Sequence, residues 1–176
     1  MHGVNEALDF IPVRIAVLTV TDSRTLATDT SGDILARRIE DAGHILGARD
    51  LVADDVDAIR AIVSTWINDP QIDAVISTGG TGLTGRDVTP EAVKPLFDKE
   101  IEGFAVIFHQ VSFQSVGLST LQSRAAAGVA RGTFIFALPG SNGAVKDGWD
   151  KVISHQLDSR HKPCNLVELM PRLMEK

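Results

Sequence analysis

The sequence predicts an α/β fold with a mostly parallel central sheet. Short, β-branched, nearly uncharged runs alternate with stretches whose apolar residues recur at helical spacing. Several of those runs are apolar at almost every position, as strands covered on both faces are. The chain has no internal repeat, low-complexity segment or linker, so its 176 residues read as one domain, with residues 1–12 as an extended N-terminal arm.

Arg14 to Thr21 (RIAVLTVT) is the first strand, ended by the polar Asp22-Ser23-Arg24. Thr30 or Ser31 caps a helix that runs to about Ala42 with Ile34, Leu35 and Ile39 as its apolar stripe, and Gly43 stops it. His44 to Val52 forms a less regular strand ending at Ala53-Asp54-Asp55. Asp55 is placed to cap a helix to Ile67, where Ile59, Ile62, Val63 and Trp66 share one face, and Pro70 closes it. Ile72 to Ser77 is a strand that enters Thr78-Gly79-Gly80-Thr81-Gly82. Short helices follow Pro90 through Phe97, and another covers Gly103 to Val116. Thr133 to Leu138 (TFIFAL) is a strand, followed by the turn Pro139-Gly140-Ser141-Asn142-Gly143 and a helix from Ala144 to Leu157. Ligands of open parallel sheets bind beyond the carboxyl ends of the strands. Asp22, Asp54, the Gly79 loop and the Pro139 loop are therefore expected on one rim.

Composition narrows the function classes. A net charge of −6 argues against broad nucleic-acid binding, which needs a basic face, although a local basic pocket remains compatible with it. A single cysteine, Cys164, excludes an internal disulfide and a multi-cysteine zinc site and fits a reduced, cytoplasmic setting. Met1 to Ile11 lacks a basic leader and a long apolar core. The longest apolar runs fall far short of the roughly 20 residues that cross a bilayer. A soluble protein without nucleic-acid or membrane partners is expected.

The chemistry concentrates at Thr78 to Gly82. Glycines let a chain turn tightly and present successive N–H groups to an anion. No Walker lysine follows, and the pattern is not G-x-G-x-x-G, so a structural turn competes with a phosphate cradle. Arg86-Asp87 and Thr89-Pro90-Glu91 shift the balance toward a site. Asp87 has two roles open to it: ligating Mg²⁺ beside ligand phosphates, or closing a turn. Glu91 either meets a ligand or complements a helix dipole. Asp54, Asp22 and Ser23 can each face a ligand or serve a cap or turn. Arg124, beside Ser123, can hold a phosphate bidentately or form a surface ion pair. The five histidines lack metal-ligand spacing, and neither Ser77 nor Ser123 stands in a G-x-S-x-G context. Trp66, Phe104, Phe108 and Phe113 are open to core or subunit-interface roles.

Thr78-Gly79-Gly80-Thr81-Gly82, Arg86-Asp87-Val88-Thr89-Pro90-Glu91-Ala92, Ser123-Arg124-Ala125 with Gly128, and Leu138-Pro139-Gly140-Ser141 together resemble the molybdopterin-binding family. Phe10-Ile11-Pro12, Asp29-Thr30-Ser31-Gly32, Ala42-Gly43-His44, Leu121-Gln122-Ser123-Arg124 and Lys162-Pro163-Cys164-Asn165 extend the resemblance over nearly the whole chain. It implies a three-layer α/β/α sandwich assembled as a homotrimer or homohexamer, with other molybdenum cofactor biosynthesis proteins as further partners. It also implies transfer of AMP from Mg-ATP to the terminal phosphate of molybdopterin, with release of pyrophosphate. ATP and molybdopterin are then the substrates and Mg²⁺ the cofactor. Two acids tied to activity in the family match Asp54 and Asp87, which would hold Mg²⁺; some members lack them. Gly79 to Gly82 would receive phosphate oxygens. Ser123 and Pro139, Gly140, Ser141 and Asn142 would line the pocket, together with Asp22, Ser23, Thr78, Thr89, Glu91 and Arg124. A non-catalytic molybdopterin carrier and a nucleotide pyrophosphate hydrolase are the competing functions.

Overall fold

In the computed structural model, which describes residues 3–175, the apolar runs become strands that bury both faces. The first segment, β1 (Gly3–Val4), lies apart from the main sheet. β2 (Arg14–Val20) has six consecutive buried residues from Ile15 to Val20, so its lack of alternation reflects cover on both sides. α1 (Thr30–Asp41) follows, then β3 (Ile45–Val52), α2 (Val56–Ile67) and β4 (Ala74–Thr78). A short α3 (Thr89–Val93) runs into a 3₁₀ turn at Lys94–Leu96 and the two-residue β5 (Lys99–Glu100). α4 (Glu102–Val116) ends at Gly117 and leads through a second 3₁₀ turn to β6 (Ala126–Ala130) and β7 (Thr133–Leu138). α5 (Asn142–Gly148) continues through a π-helical segment at Trp149–Ile153 into α6 (Ser154–Leu157), and β8 (His161–Lys162) follows.

The six-stranded sheet has the order β3-β2-β4-β7-β6-β5. The pairs β2–β3, β2–β4 and β4–β7 are parallel, while β6–β7 and β5–β6 are antiparallel. Alternate residues divide between two cores. Ile15, Val17, Ile76, Phe134 and Phe136 pack with Leu35 and Ile39 of α1, Phe104 and Phe108 of α4, and Trp149. Ala16, Leu18, Val75, Ile135 and Ala137 pack with Ile59, Val63 and Trp66 of α2 and with Ala92 and Val93 of α3. Helices therefore cover both faces, giving the α/β/α layering. The chain steps from β2 to its neighbour β3 by way of α1, then crosses β2 by way of α2 to reach β4. The carboxyl ends of β2 and β4 consequently flank the point where the winding reverses, where ligands of such sheets bind.

Three expectations change. The cap of α1 is Asp29, whose side chain accepts from the Gly32 N–H, rather than Thr30 or Ser31. The last long helix starts at Asn142 and is capped by Ser141, two residues before the expected Ala144. Residues 126–130, expected only as the small-residue tail of the Ser123-Arg124 motif, form a buried strand that hairpins into β7 across Arg131 (φ 48°) and Gly132 (φ 88°). Asp55 does cap α2, accepting from the Ala58 N–H at 2.8 Å.

Residues 1 and 2 of the expected arm lie outside the described residues. The rest is tied down: β1 pairs antiparallel with β8, and the Ser159 hydroxyl donates to the Asp9 carbonyl and accepts from the Ile11 N–H, both at 2.9 Å. Phe10 packs against His44 with the two rings tilted at 45°, and the Arg160 guanidinium lies 5.0 Å from the ring centroid of Phe10. Among the described residues no helix is long and apolar enough to cross a membrane.

Candidate functional site

Parallel alignment of β2, β3, β4 and β7 brings the loops after all four strands to one edge. The Asp54 N–H donates to Asp22 Oδ1 at 3.0 Å, fastening the β3 loop to the β2 loop. The Gly79 N–H donates to the Leu138 carbonyl at 3.0 Å, and the Thr78 hydroxyl donates to the Pro139 carbonyl at 3.1 Å, joining the glycine loop to the end of β7. Thr89 closes that loop from beneath: its N–H donates to the Gly80 carbonyl and its hydroxyl to the Gly79 carbonyl. Both glycines have positive φ, 102° at Gly79 and 64° at Gly80. A β-carbon at Gly79 would strike the Val20 carbonyl, and one at Gly80 would crowd the Thr89 hydroxyl and Asp54 Oδ1. The loop thus needs glycine for its shape and for close approach to neighbouring backbone and to Asp54.

The acids at this rim differ in state. Burial is the main influence raising the Asp54 carboxyl, and the nearby charges of Asp22 and Asp87 push it further the same way. Asp87 moves the other way. The Thr84 hydroxyl holds it below the usual carboxylate range, helped by the N–H groups of Thr84 and Gly82. Arg86, on the exposed side, reaches Asp22 Oδ2 at 3.4 Å.

Arg124 and Glu91 pair with each other beside the glycine-rich loop. The Arg124 guanidinium donates to the Gly82 carbonyl at 2.8 Å, to the Asp87 carbonyl at 2.7 Å and to the Glu91 carboxylate, which it keeps ionised. Its own N–H donates to the Thr81 carbonyl. Arg124 therefore splints both ends of the glycine-rich loop. Ser123 Oγ and Thr81 Oγ1 lie under that splint, both buried and neither with a protein hydrogen-bond partner. Ser141 is used as a cap, while Asn142 Oδ1 accepts from the Thr30 hydroxyl at 3.1 Å, linking the β7 loop to the start of α1.

Sequence reasoning missed one group of residues. Asp29 is fully buried and accepts from Thr19 Oγ1, Ser31 Oγ, Gly32 N–H and Arg49 Nη2. Burial alone would raise its pKa; those donors outweigh it and hold the carboxyl ionised. Arg24, read only as a strand-ending polar residue, lines a cleft of about 200 Å³ with Ser31, Thr78, Gly79 and Gly140. Helix-capping preference ranks Asp29 level with Ser31; nothing local signals that Arg49, twenty residues away, pairs with it.

The family model described as a probable molybdopterin binding domain matches residues 16–159. The chain belongs to this molybdopterin-binding family. It is 50% identical to molybdenum cofactor biosynthesis protein B of Escherichia coli (strain K12) over 157 residues, 89% of this chain and 92% of that protein. Its identity to the Bacillus subtilis (strain 168) protein of the same name is 45% over 146 residues, 82% of this chain and 86% of that protein. A crystal structure of a molybdenum cofactor biosynthesis protein B superposes with a TM-score of 0.81 at 39% identity, covering 84% of this chain and 92% of the other. The molybdopterin-binding fold thus accounts for the mixed six-stranded sheet as well as the rim.

Among the described residues no three His, Cys, Asp or Glu side chains converge closely enough to hold a metal ion unaided. Magnesium is commonly held by one or two carboxylates, with substrate phosphates and water completing its octahedron. Asp54, burdened by two neighbouring negative charges, is a carboxylate that a divalent cation would relieve.

Proposed function

We propose that the protein acts in molybdenum cofactor biosynthesis, binding molybdopterin and transferring AMP to it from Mg-ATP. An oxygen of the pterin's terminal phosphate attacks the α-phosphorus of ATP. The bond from that phosphorus to the bridging oxygen breaks, and the electron pair leaves with pyrophosphate. The attacking phosphate is already anionic, so no strong general base is required, and catalysis comes from alignment and charge neutralisation. Asp54, with Asp87, would hold Mg²⁺, which when bound neutralises the triphosphate. The N–H groups of Gly79 to Gly82 would receive phosphate oxygens. The Thr81 and Ser123 hydroxyls are buried without protein partners, and a ligand would reach them only through movement of the loop. The observation that carries the reading is the closeness of Asp54 to the glycine loop: a β-carbon at Gly80 would lie 3.0 Å from its carboxylate, so a charge-stressed acid stands beside the loop whose N–H groups would meet phosphate. This chemistry belongs in the cytoplasm, and the exposed apolar residues of α4 support a homotrimer or homohexamer.

The test is incubation of the protein with molybdopterin, ATP and Mg²⁺, following pyrophosphate release and AMP-pterin formation. Wild type should turn over, Asp54→Asn should fall by about 10²-fold or more, and both proteins should melt at similar temperatures. Near-normal turnover by Asp54→Asn would reject its metal role. A second reading, a non-catalytic pterin carrier, draws support from the Asp87 carboxylate being engaged by Thr84. Pterin binding without pyrophosphate release would favour it.

A further inference from the structure

We propose that the 200 Å³ cleft between the ends of β2, β4 and β7 seats the pterin's terminal phosphate, with Arg24 as its fixed cation, while the acidic side of the rim takes the magnesium triphosphate. This assignment of subsites rests on the transferase reading above.

The cleft, at about 200 Å³, lies below the roughly 300–1,000 Å³ of sites for drug-sized ligands and has room for one phosphoryl group. Its polar lining consists of hydroxyl-bearing residues (Thr19, Thr21, Ser23, Ser31 and Thr78) and one guanidinium, and Gly79 and Gly140 add bare backbone. No carboxylate lines it.

The charge on Arg24 is uncommitted. Asp29, the nearest acid behind the wall, already accepts four hydrogen bonds, which fills the roughly four acceptor positions of a carboxylate. Arg49 neutralises it at 2.9 Å, whereas Arg24 stands 3.9 Å away. Among the described residues the Arg24 guanidinium makes one hydrogen bond, from Nη1 to Ser31 Oγ at 2.9 Å. Ser31 in turn donates to Asp29, and the Thr21 hydroxyl accepts from the Arg24 N–H, so the arginine is oriented at both ends. An oriented, half-buried guanidinium with spare N–H groups is suited to recognising a phosphate by two parallel bonds.

The two halves of the rim then differ in what they accept. A phosphate monoester without a metal is repelled by Asp22, Asp54 and Asp87 and needs a cation from the protein. A triphosphate carrying Mg²⁺ brings its own cation and needs carboxylates. Gly79 lines the Arg24 cleft, and Gly80 faces Asp54. The subsites meet at two adjacent residues of the glycine loop, an arrangement that would set the attacking phosphate beside the α-phosphorus.

Arg24→Ala and Arg24→Lys test the assignment, with inorganic phosphate and Mg-ATP as separate probes. In wild type, inorganic phosphate should shift the amide resonances of Ser31 and Gly79 saturably. Arg24→Ala should weaken that response about tenfold or more, Arg24→Lys should recover part of it, and neither should change Mg-ATP affinity by calorimetry. Unaltered phosphate binding in Arg24→Ala, or an equal loss of Mg-ATP affinity, overturns the assignment. AMP transfer with an unchanged KM for the pterin in Arg24→Ala overturns it too, while leaving the transferase reading intact. Arg24-dependent phosphate binding in a wild-type protein that transfers no AMP refutes the transferase reading and leaves the anion cleft.

Discussion

His44 shows how one buried side chain ties two parts of the molecule together. It is 6% exposed, its ring lies between Phe10 of the arm and Trp149 of the last helix, and its Nδ1 accepts from the Val13 N–H at 3.1 Å. That acceptor role requires an unprotonated Nδ1. Burial lowers the pKa of His44, against a smaller raising effect of Asp158. In the unfolded chain a histidine titrates near about 6.5. Well above that pH both states are neutral, and His44 adds no pH dependence. As pH falls below it the unfolded chain takes up the proton first, so stability declines toward the lowered folded value, by at most about 1.4 kcal/mol per pH unit. Carboxylates held ionised, such as Asp29 and Asp87, lose their contribution at lower pH, and the raised Asp54 carboxyl acts in the opposite direction, so the decline from about pH 6.5 to 5 is assigned to His44 by comparison with a variant that lacks only that ring. Urea midpoints measured across that window should drop for wild type. They should drop less for His44→Asn, whose Oδ1 can accept from Val13 without titrating. Equal slopes would assign the effect elsewhere. Trp149 and Val13 are distant in sequence, so no local pattern marks His44 as their junction; residue-scale reading found the acids of the rim but not this pairing or that of Asp29 with Arg49.

At the scale of elements, legibility followed side-chain size. β2, β4 and β7 were readable because Ile, Val and Phe fill both faces. α1 and α2 were readable from their apolar stripes. β6 (Ala126-Ala127-Gly128-Val129-Ala130) was not, since alanine and glycine have little strand preference and bury little area of their own. Its small residues have a tertiary cause: the Phe97 ring lies against Gly128 where a side chain would be, so β6 is a strand whose apolar cover comes from the 3₁₀ turn beside it. The same placement explains why Ser123-Arg124 looked like an isolated motif. It is the lead-in to a sheet strand, and β6 anchors the base from which Arg124 splints the glycine loop. Gly128→Val should therefore be over-packed and lose about 1–3 kcal/mol in chemical denaturation, despite valine's better strand propensity. Phe97→Ala should restore part of the loss in the double variant, because the two residues share one space. A stabilised Gly128→Val protein would show that the ring moves aside at no cost.

Across the whole molecule, the sheet's two cores are closed, but the outer side of α4 is not. Phe104 and Phe108 point into the sheet at 5% and 0% exposure, and Trp66 is buried in the opposite layer, so of the four aromatics open to an interface role only Phe113 remains outside, at 53%. It shares its helix face with Val106 and Val116, and the turn that follows exposes Leu118 and Leu121, each at 73%. Scattered apolar residues on a surface need no partner, but a run of five along one helix and its extension forms a patch of the kind that marks protein–protein contact. That turn leads straight to Ser123 and Arg124, so association through this face would also brace the lead-in to the glycine loop. The double change Val106→Glu, Phe113→Glu removes apolar area and adds charge without entering either core. Sedimentation velocity should show wild type as a trimer or hexamer and the variant shifted toward monomer, with an unchanged far-ultraviolet spectrum. If AMP transfer falls with dissociation and recovers at high protein concentration, the assembly supports the splint as well as the surface. A variant that sediments like wild type would place the subunit contacts on another face and leave α4 as exposed apolar surface.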